Sequence, residues 1–118
     1  MRDVLRWTIL LLLPPLFAGC DMCGNEVLQS ITSPSGKLKV EVFSRDCGAT
    51  TGFSTQVSII SADDKLPNES GNILVLDGAV PIKVQWHSDS VLTVAGLGTS
   101  QVFLQERSLA GVSIDYEN

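Results

Sequence analysis

The segment Lys37-Leu38-Lys39-Val40-Glu41-Val42 alternates charged and apolar side chains without a break. Successive side chains of an extended strand point to opposite sides, so a period of two marks a strand with one face buried. The same period recurs in Ile82-Lys83-Val84-Gln85-Trp86-His87 and in Val112-Ser113-Ile114-Asp115-Tyr116-Glu117. No stretch after Gly24 sustains a helical period. Leu38, Val40, Val42, Ile82, Val84 and Trp86 are expected inward, with the charges between them wet. A chain patterned this way has to stack sheets.

Weaker strand signals cover residues 26–32, 55–61, 72–76, 91–95 and 101–105. Turn chemistry separates them, at Ser33-Pro34-Ser35-Gly36, Asp77-Gly78, His87-Ser88-Asp89-Ser90 and Gly96-Leu97-Gly98. The expected fold is all-β, a small antiparallel sandwich or rolled sheet of seven or eight short strands. One domain over residues 26–118 accounts for it, with no fixed-spacing repeat.

The start of the chain is of another kind. Arg2 and Arg6 precede an apolar run from Trp7 to Phe17, and small Ala18 and Gly19 follow. That order describes a secretory signal over residues 1–19. The run is too short, and too broken by Pro14-Pro15, for a span that needs about 20 apolar residues. Of 8 Lys+Arg and 13 Asp+Glu in the chain, Arg2, Arg6 and Asp3 lie in this leader. The rest holds six cations against twelve anions, a net charge near −6. Such a surface repels phosphate backbones, so nucleic acid is not an expected partner.

Phe17-Ala18-Gly19-Cys20, with Leu16 before it, resembles the bacterial lipobox, although Phe17 replaces the usual aliphatic residue. The resemblance implies a diacylglyceryl group on Cys20, which becomes the new N-terminus and starts a lipidated tether over residues 20–25. Two or more acyl chains anchor stably where one is marginal. The implied location is the cell envelope, on a membrane and facing the periplasm. Asp21 resembles the signal that keeps such proteins at the inner membrane.

With Cys20 acylated, Cys23 and Cys47 are an even pair in an oxidising compartment and are expected to form a disulfide. Strands 26–32 and 37–45 read as a hairpin, which brings the two together at a Cα separation of about 5–6 Å. The competing assignments are a zinc site from Cys20, Cys23, Cys47 and His87, and a Cys-x-x-Cys redox pair. Both require Cys20 to be free. No metal or cofactor is expected.

Residues 46–54, Asp46-Cys47-Gly48-Ala49-Thr50-Thr51-Gly52-Phe53-Ser54, make a longer link than a hairpin requires. Its composition offers a binding loop, with amides of Gly48 and Gly52 and hydroxyls of Thr50 and Thr51 around an anion or peptide carboxylate. A crossover held by the disulfide, with glycines supplying positive φ, is the plainer reading of the same residues. His87 falls in a surface turn beside Ser88 and Asp89, and adjacency in one turn does not build a catalytic relay. Asp63-Asp64 with Asn68 and Glu69 lacks the spacing of a calcium loop and reads as a solvated acidic loop. Asn68-Glu69-Ser70 matches a glycosylation sequon that has no meaning in a bacterium.

Ser33-Pro34-Ser35-Gly36-Lys37, the run from Asp46-Cys47-Gly48-Ala49-Thr50-Thr51-Gly52-Phe53 to Ile59, Leu66-Pro67-Asn68, Gly71-Asn72 and Val84-Gln85-Trp86 together resemble a family of small bacterial proteins. That family is known only as a domain of unknown function, so the resemblance implies a recurring domain and no chemistry. The functional expectation is a membrane-anchored lipoprotein acting as a non-enzymatic binding or envelope-associated module, with a basic protein as a suitable partner. The alternatives are a small envelope enzyme drawing on Asp46, Thr50, Thr51 or His87, and a purely structural spacer.

Overall fold

A computed structural model describes residues 22–48 and 52–118. The leader, Cys20, Asp21, Ala49, Thr50 and Thr51 lie outside the described residues. The described chain is all-β with nine strands. They are β1 (Gly24–Thr32), β2 (Leu38–Asp46), β3 (Phe53–Ser61), β4 (Leu74–Asp77), β5 (Lys83–Ser88), β6 (Val91–Ala95), β7 (Val102–Gln105), β8 (Ser108–Leu109) and β9 (Val112–Glu117). One sheet has the order β1-β2-β3-β4-β7 and the other β5-β6-β9-β8. Val40, Val42, Val57, Leu74 and Leu76 from the first pack on Ile82, Val84, Leu92, Val94, Val112 and Ile114 on the second side. Each such side chain taken from water stabilises the sandwich by roughly 1.5–3 kcal/mol.

Three features depart from the expectation. The ninth strand is β8, whose two residues are too few to show a period. β6 and β9 pair in parallel, whereas every other pair is antiparallel. Between them the chain crosses to the other sheet as β7 and returns through β8, so β9 is no hairpin neighbour of β6 and its direction is set by that detour. The strand β1 begins at Gly24 rather than at residue 26, so Gly24 and Asn25 belong to the β domain.

The outer face of β2 is also drier than its charges suggest. Phe43 is fully buried and Glu41 is only 5% exposed, and Lys39 Nζ lies 3.8 Å from Glu41 Oε2. The chain between β3 and β4 doubles back toward β1 and β2 as a strap. Asn25 Nδ2 donates to the carbonyls of Pro67 and Glu69 at 3.1 and 2.9 Å. Arg45 Nη1 donates to Asn25 Oδ1 at 2.8 Å and to Asn68 Oδ1 at 2.9 Å. The strap ends at Gly71, whose N–H donates to Gln56 Oε1 at 2.6 Å. A Cβ at Gly71 would come within 2.8 Å of the carbonyl oxygens of Val57 and Leu74, so only glycine lets the strap lie this close. The acidic 63–69 segment is thus a structural brace at its Asn68 end.

The edge strand β1 carries a bulge. Val27 pairs with Phe43 and Gln29 with Val42, leaving Leu28 as the extra residue. The slip turns Gln29 inward, where its Nε2 donates to the carbonyl of Ile82 at 2.7 Å. Trp86 Nε1 donates to the carbonyl of Ile31 at 2.9 Å. These two bonds lay β5 under β1. At the opposite side Tyr116, on β9, bonds through its hydroxyl to the carbonyls of Ile73 and Glu106.

Candidate functional site

Cys23 and Cys47 occupy the rung just beyond the Gly24–Asp46 pair that ends the β1–β2 ladder. Their sulfurs are 2.07 Å apart and their Cα atoms 3.8 Å apart. This is closer than the 5–6 Å expected. Asn68 Nδ2 donates to the carbonyl of Cys23 at 2.9 Å, which ties the strap to the same end of the molecule.

The 46–54 link leaves from this end too. Gly48 and Gly52 have φ values of 119° and 69°, a region that penalises any side chain. The Gly48 N–H donates to Asp46 Oδ1 at 3.0 Å. That amide is thus engaged within the chain, and Thr50 and Thr51, which supply the hydroxyls of the expected cradle, lie outside the described residues.

Beside the link a different kind of concavity opens. Phe53 is the first residue of β3, and the crossover from β4 to β5 passes it. Gly78 N–H donates to the Phe53 carbonyl at 3.0 Å. Thr55 Oγ1 donates to the carbonyl of Gly78 at 2.7 Å and accepts from Val80 N–H at 2.9 Å. These bonds fix Ala79-Val80-Pro81 as one wall of a cleft of about 430 Å³. The bulge residue Leu28 and Phe53 form its rim, and Ser44, Ser54 and Thr55 complete the lining. Leu28 and Phe53 are 54% and 59% exposed. Among the described residues no ionisable side chain lines the cleft. A second concavity of about 300 Å³ lies on the other side of Phe53, between Arg45, Cys47, Gly52, Asp77 and Phe103.

Of the residues considered for catalysis, Asp46 and His87 are not brought together, and Thr50 and Thr51 lie outside the described residues. Trp86 contacts Ile31, and Asp89 Oδ1 accepts from Ser35 N–H at 2.8 Å. These contacts place His87 at the β1–β2 turn end, whereas Asp46 ends the ladder at the disulfide end. His87 Nε2 lies 2.7 Å from Thr93 Oγ1 on the wet face of the second sheet. The same separation keeps His87 from joining Cys23 and Cys47 in a zinc set. Among the described residues no three His, Cys, Asp or Glu side chains converge as metal ligands.

The cleft was not read from the sequence. Its one advance signal is the adjacency of Val27 and Leu28, which breaks the alternation of β1 and marks the bulge. No family model matches the chain, and no curated protein or solved structure was found similar to it.

Proposed function

We propose that this chain is a bacterial envelope lipoprotein, held to a membrane by acyl chains on Cys20, with its β domain facing the periplasm as a non-enzymatic binding module. The leader's basic, apolar and small-residue order supports the export, the lipobox resemblance supports the anchor, and Asp21 favours the inner membrane. The Cys23–Cys47 pairing agrees with an oxidising compartment.

The observation that carries the binding role is the apolar cleft beside an edge strand. β1 is nine residues long and, among the described residues, has no strand on its outer side. An extended segment of a partner protein adds to such an edge through main-chain bonds, and an apolar side chain enters the cleft beside Leu28 and Phe53. Twelve acidic against six basic side chains beyond the leader favour a basic partner. Thr50 and Thr51 precede Gly52 and Phe53 in sequence and are proposed to take part in the same contact.

A photo-crosslinking residue placed at Leu28 in intact cells tests the role, with Lys83 on the wet face of the second sheet as control. The expected outcome is a protein adduct at Leu28 and none at Lys83, weakened by Thr50→Ala with Thr51→Ala. Equal labelling at both sites, or none at Leu28, contradicts it.

A further inference from the structure

The disulfide shortens the tether. Cys23 is joined to the body of the fold, so only three peptide links separate Cys20 from a fixed point. At no more than about 3.3–3.6 Å per residue that is roughly 10 Å of chain. The polar headgroup layer of one leaflet is itself about 5–8 Å deep. A domain anchored through Cys20 has no room to stand away from the bilayer, and its disulfide end lies at the membrane surface.

That end is apolar. Met22, the first described residue, is 68% exposed, and Phe53 is 59% exposed on the same end rung as Gly24 and Asp46. Phe103, 60% exposed, stands about two rungs higher on the outer face. Met22 lies over the link, its Cε 3.3 Å from where a Cβ would stand on Gly48. In water these side chains are a cost without a return; in the headgroup layer they are placed to insert.

We propose that Met22 and Phe53 seat the disulfide end of the domain in the interfacial layer of the membrane that holds it. The sandwich then stands with β1 rising from the bilayer and the mouth of the Leu28–Phe53 cleft at headgroup level. Charge decides the lipid. Glu26, Asp46 and Asp77 are exposed around this end, while the neighbouring Arg45 is bonded to Asn25 and Asn68. An anionic surface repels that ring of carboxylates, so the seat is made for net-neutral, zwitterionic lipid. The seat rests on acylation of Cys20 as proposed above.

The test uses the mature, acylated protein reconstituted in phosphatidylcholine vesicles whose acyl chains are brominated near the headgroup. Phe53→Trp and Met22→Trp report depth, and Trp86, at the far end, is the internal control. The expected result is a loss of emission from the added tryptophan with Trp86 undimmed. The loss should be smaller when phosphatidylglycerol replaces half of the neutral lipid at low salt. Protein that floats with the vesicles yet shows no quenching at either position overturns the seat alone. Protein that does not float overturns the anchor and the seat together. Stronger quenching in the anionic vesicles contradicts the assignment to neutral lipid.

Discussion

Asn68 donates from its Nδ2 to the carbonyl oxygen of Cys23 at 2.9 Å, so the strap across the outer face and the arm of the disulfide hold each other. Arg45 completes the brace by bonding Asn25 and Asn68 together. The disulfide end of the sandwich is therefore cross-linked three ways: by ladder, by sulfur and by side chains.

The disulfide should be structural. Closing a loop with a sequence separation of 24 restrains the unfolded chain by on the order of 3 kcal/mol. Cys23→Ser with Cys47→Ser is expected to lower stability by about 2–5 kcal/mol while leaving the ladder's far end unaffected. A thermal melt of the double variant measures the loss. Non-reducing peptide mapping of the exported protein should recover Cys23 and Cys47 in one linked pair, and two free thiols would refute the pairing.

The brace can be cut without touching sulfur. Arg45→Met removes the donor from the half-buried Asn25 Oδ1 and breaks an exposed bond to Asn68 Oδ1, and should cost about 1–1.5 kcal/mol. Hydrogen exchange should quicken first in residues 67–71, and later in β5 and β6. Uniform loss of protection would mean the strap is not a separate unit.

Much of this fold was legible in the residues. The alternation in 37–42, 82–87 and 112–117 identifies β2, β5 and β9, because one face of each meets the core. What alternation does not reveal is a second covering on the wet side. Glu41 and Phe43 are buried although they fall on the wet side of the pattern, and the strap that bonds to β1 and β2, Asp63 to Ser70, is acidic and turn-rich and resembles an open loop. Its attachment depends on Asn25, Arg45 and Gln56, polar residues from three different strands, and on the close approach at Gly71. None of these is a local pattern. The parallel pairing of β6 and β9 was hidden for a related reason, since two short crossings between sheets set it. At the disulfide end the pairing of Cys23 with Cys47 followed from elimination and a hairpin, whereas the cleft depends on where the β4–β5 crossover passes Phe53.

The turn from β8 to β9 holds a local misfit. Ala110 has φ of 52° and is followed by Gly111 at 79°, the pair of positive values that a type I′ hairpin turn demands and that Asn-Gly supplies best. Alanine is strained there. Ala110→Asn should stabilise the domain by on the order of 0.5–1 kcal/mol, read as a higher urea midpoint with an unchanged slope. A lower midpoint would show that the turn is held by something other than its own backbone.

Tyr116 is the one tyrosine of the chain, which makes its titration easy to follow. Burial pushes its hydroxyl up to about 12; nearby Arg107 opposes the shift and Glu106 adds to it. The folded form holds the proton more tightly than the unfolded form, whose value is the ordinary 10. The contribution is therefore fully present below pH 10 and is lost as pH rises toward 12. Stability should fall over that window in the native protein and much less in Tyr116→Phe. The variant should itself be weaker at neutral pH by about 1 kcal/mol, for the lost tie to Ile73 and Glu106. Tyrosinate absorbance rising with a midpoint near 10 would contradict the burial.

The central claim is that this chain works from a membrane by a lipid on Cys20. Intact-mass and N-terminal peptide analysis of protein extracted from the cell envelope tests it most directly. The predicted result is a chain beginning at Cys20 with a diacylglyceryl group on its sulfur, and an uncut, unacylated precursor for Cys20→Ser. A mature chain with an unmodified Cys20 thiol, or one that still begins at Met1, would contradict the account.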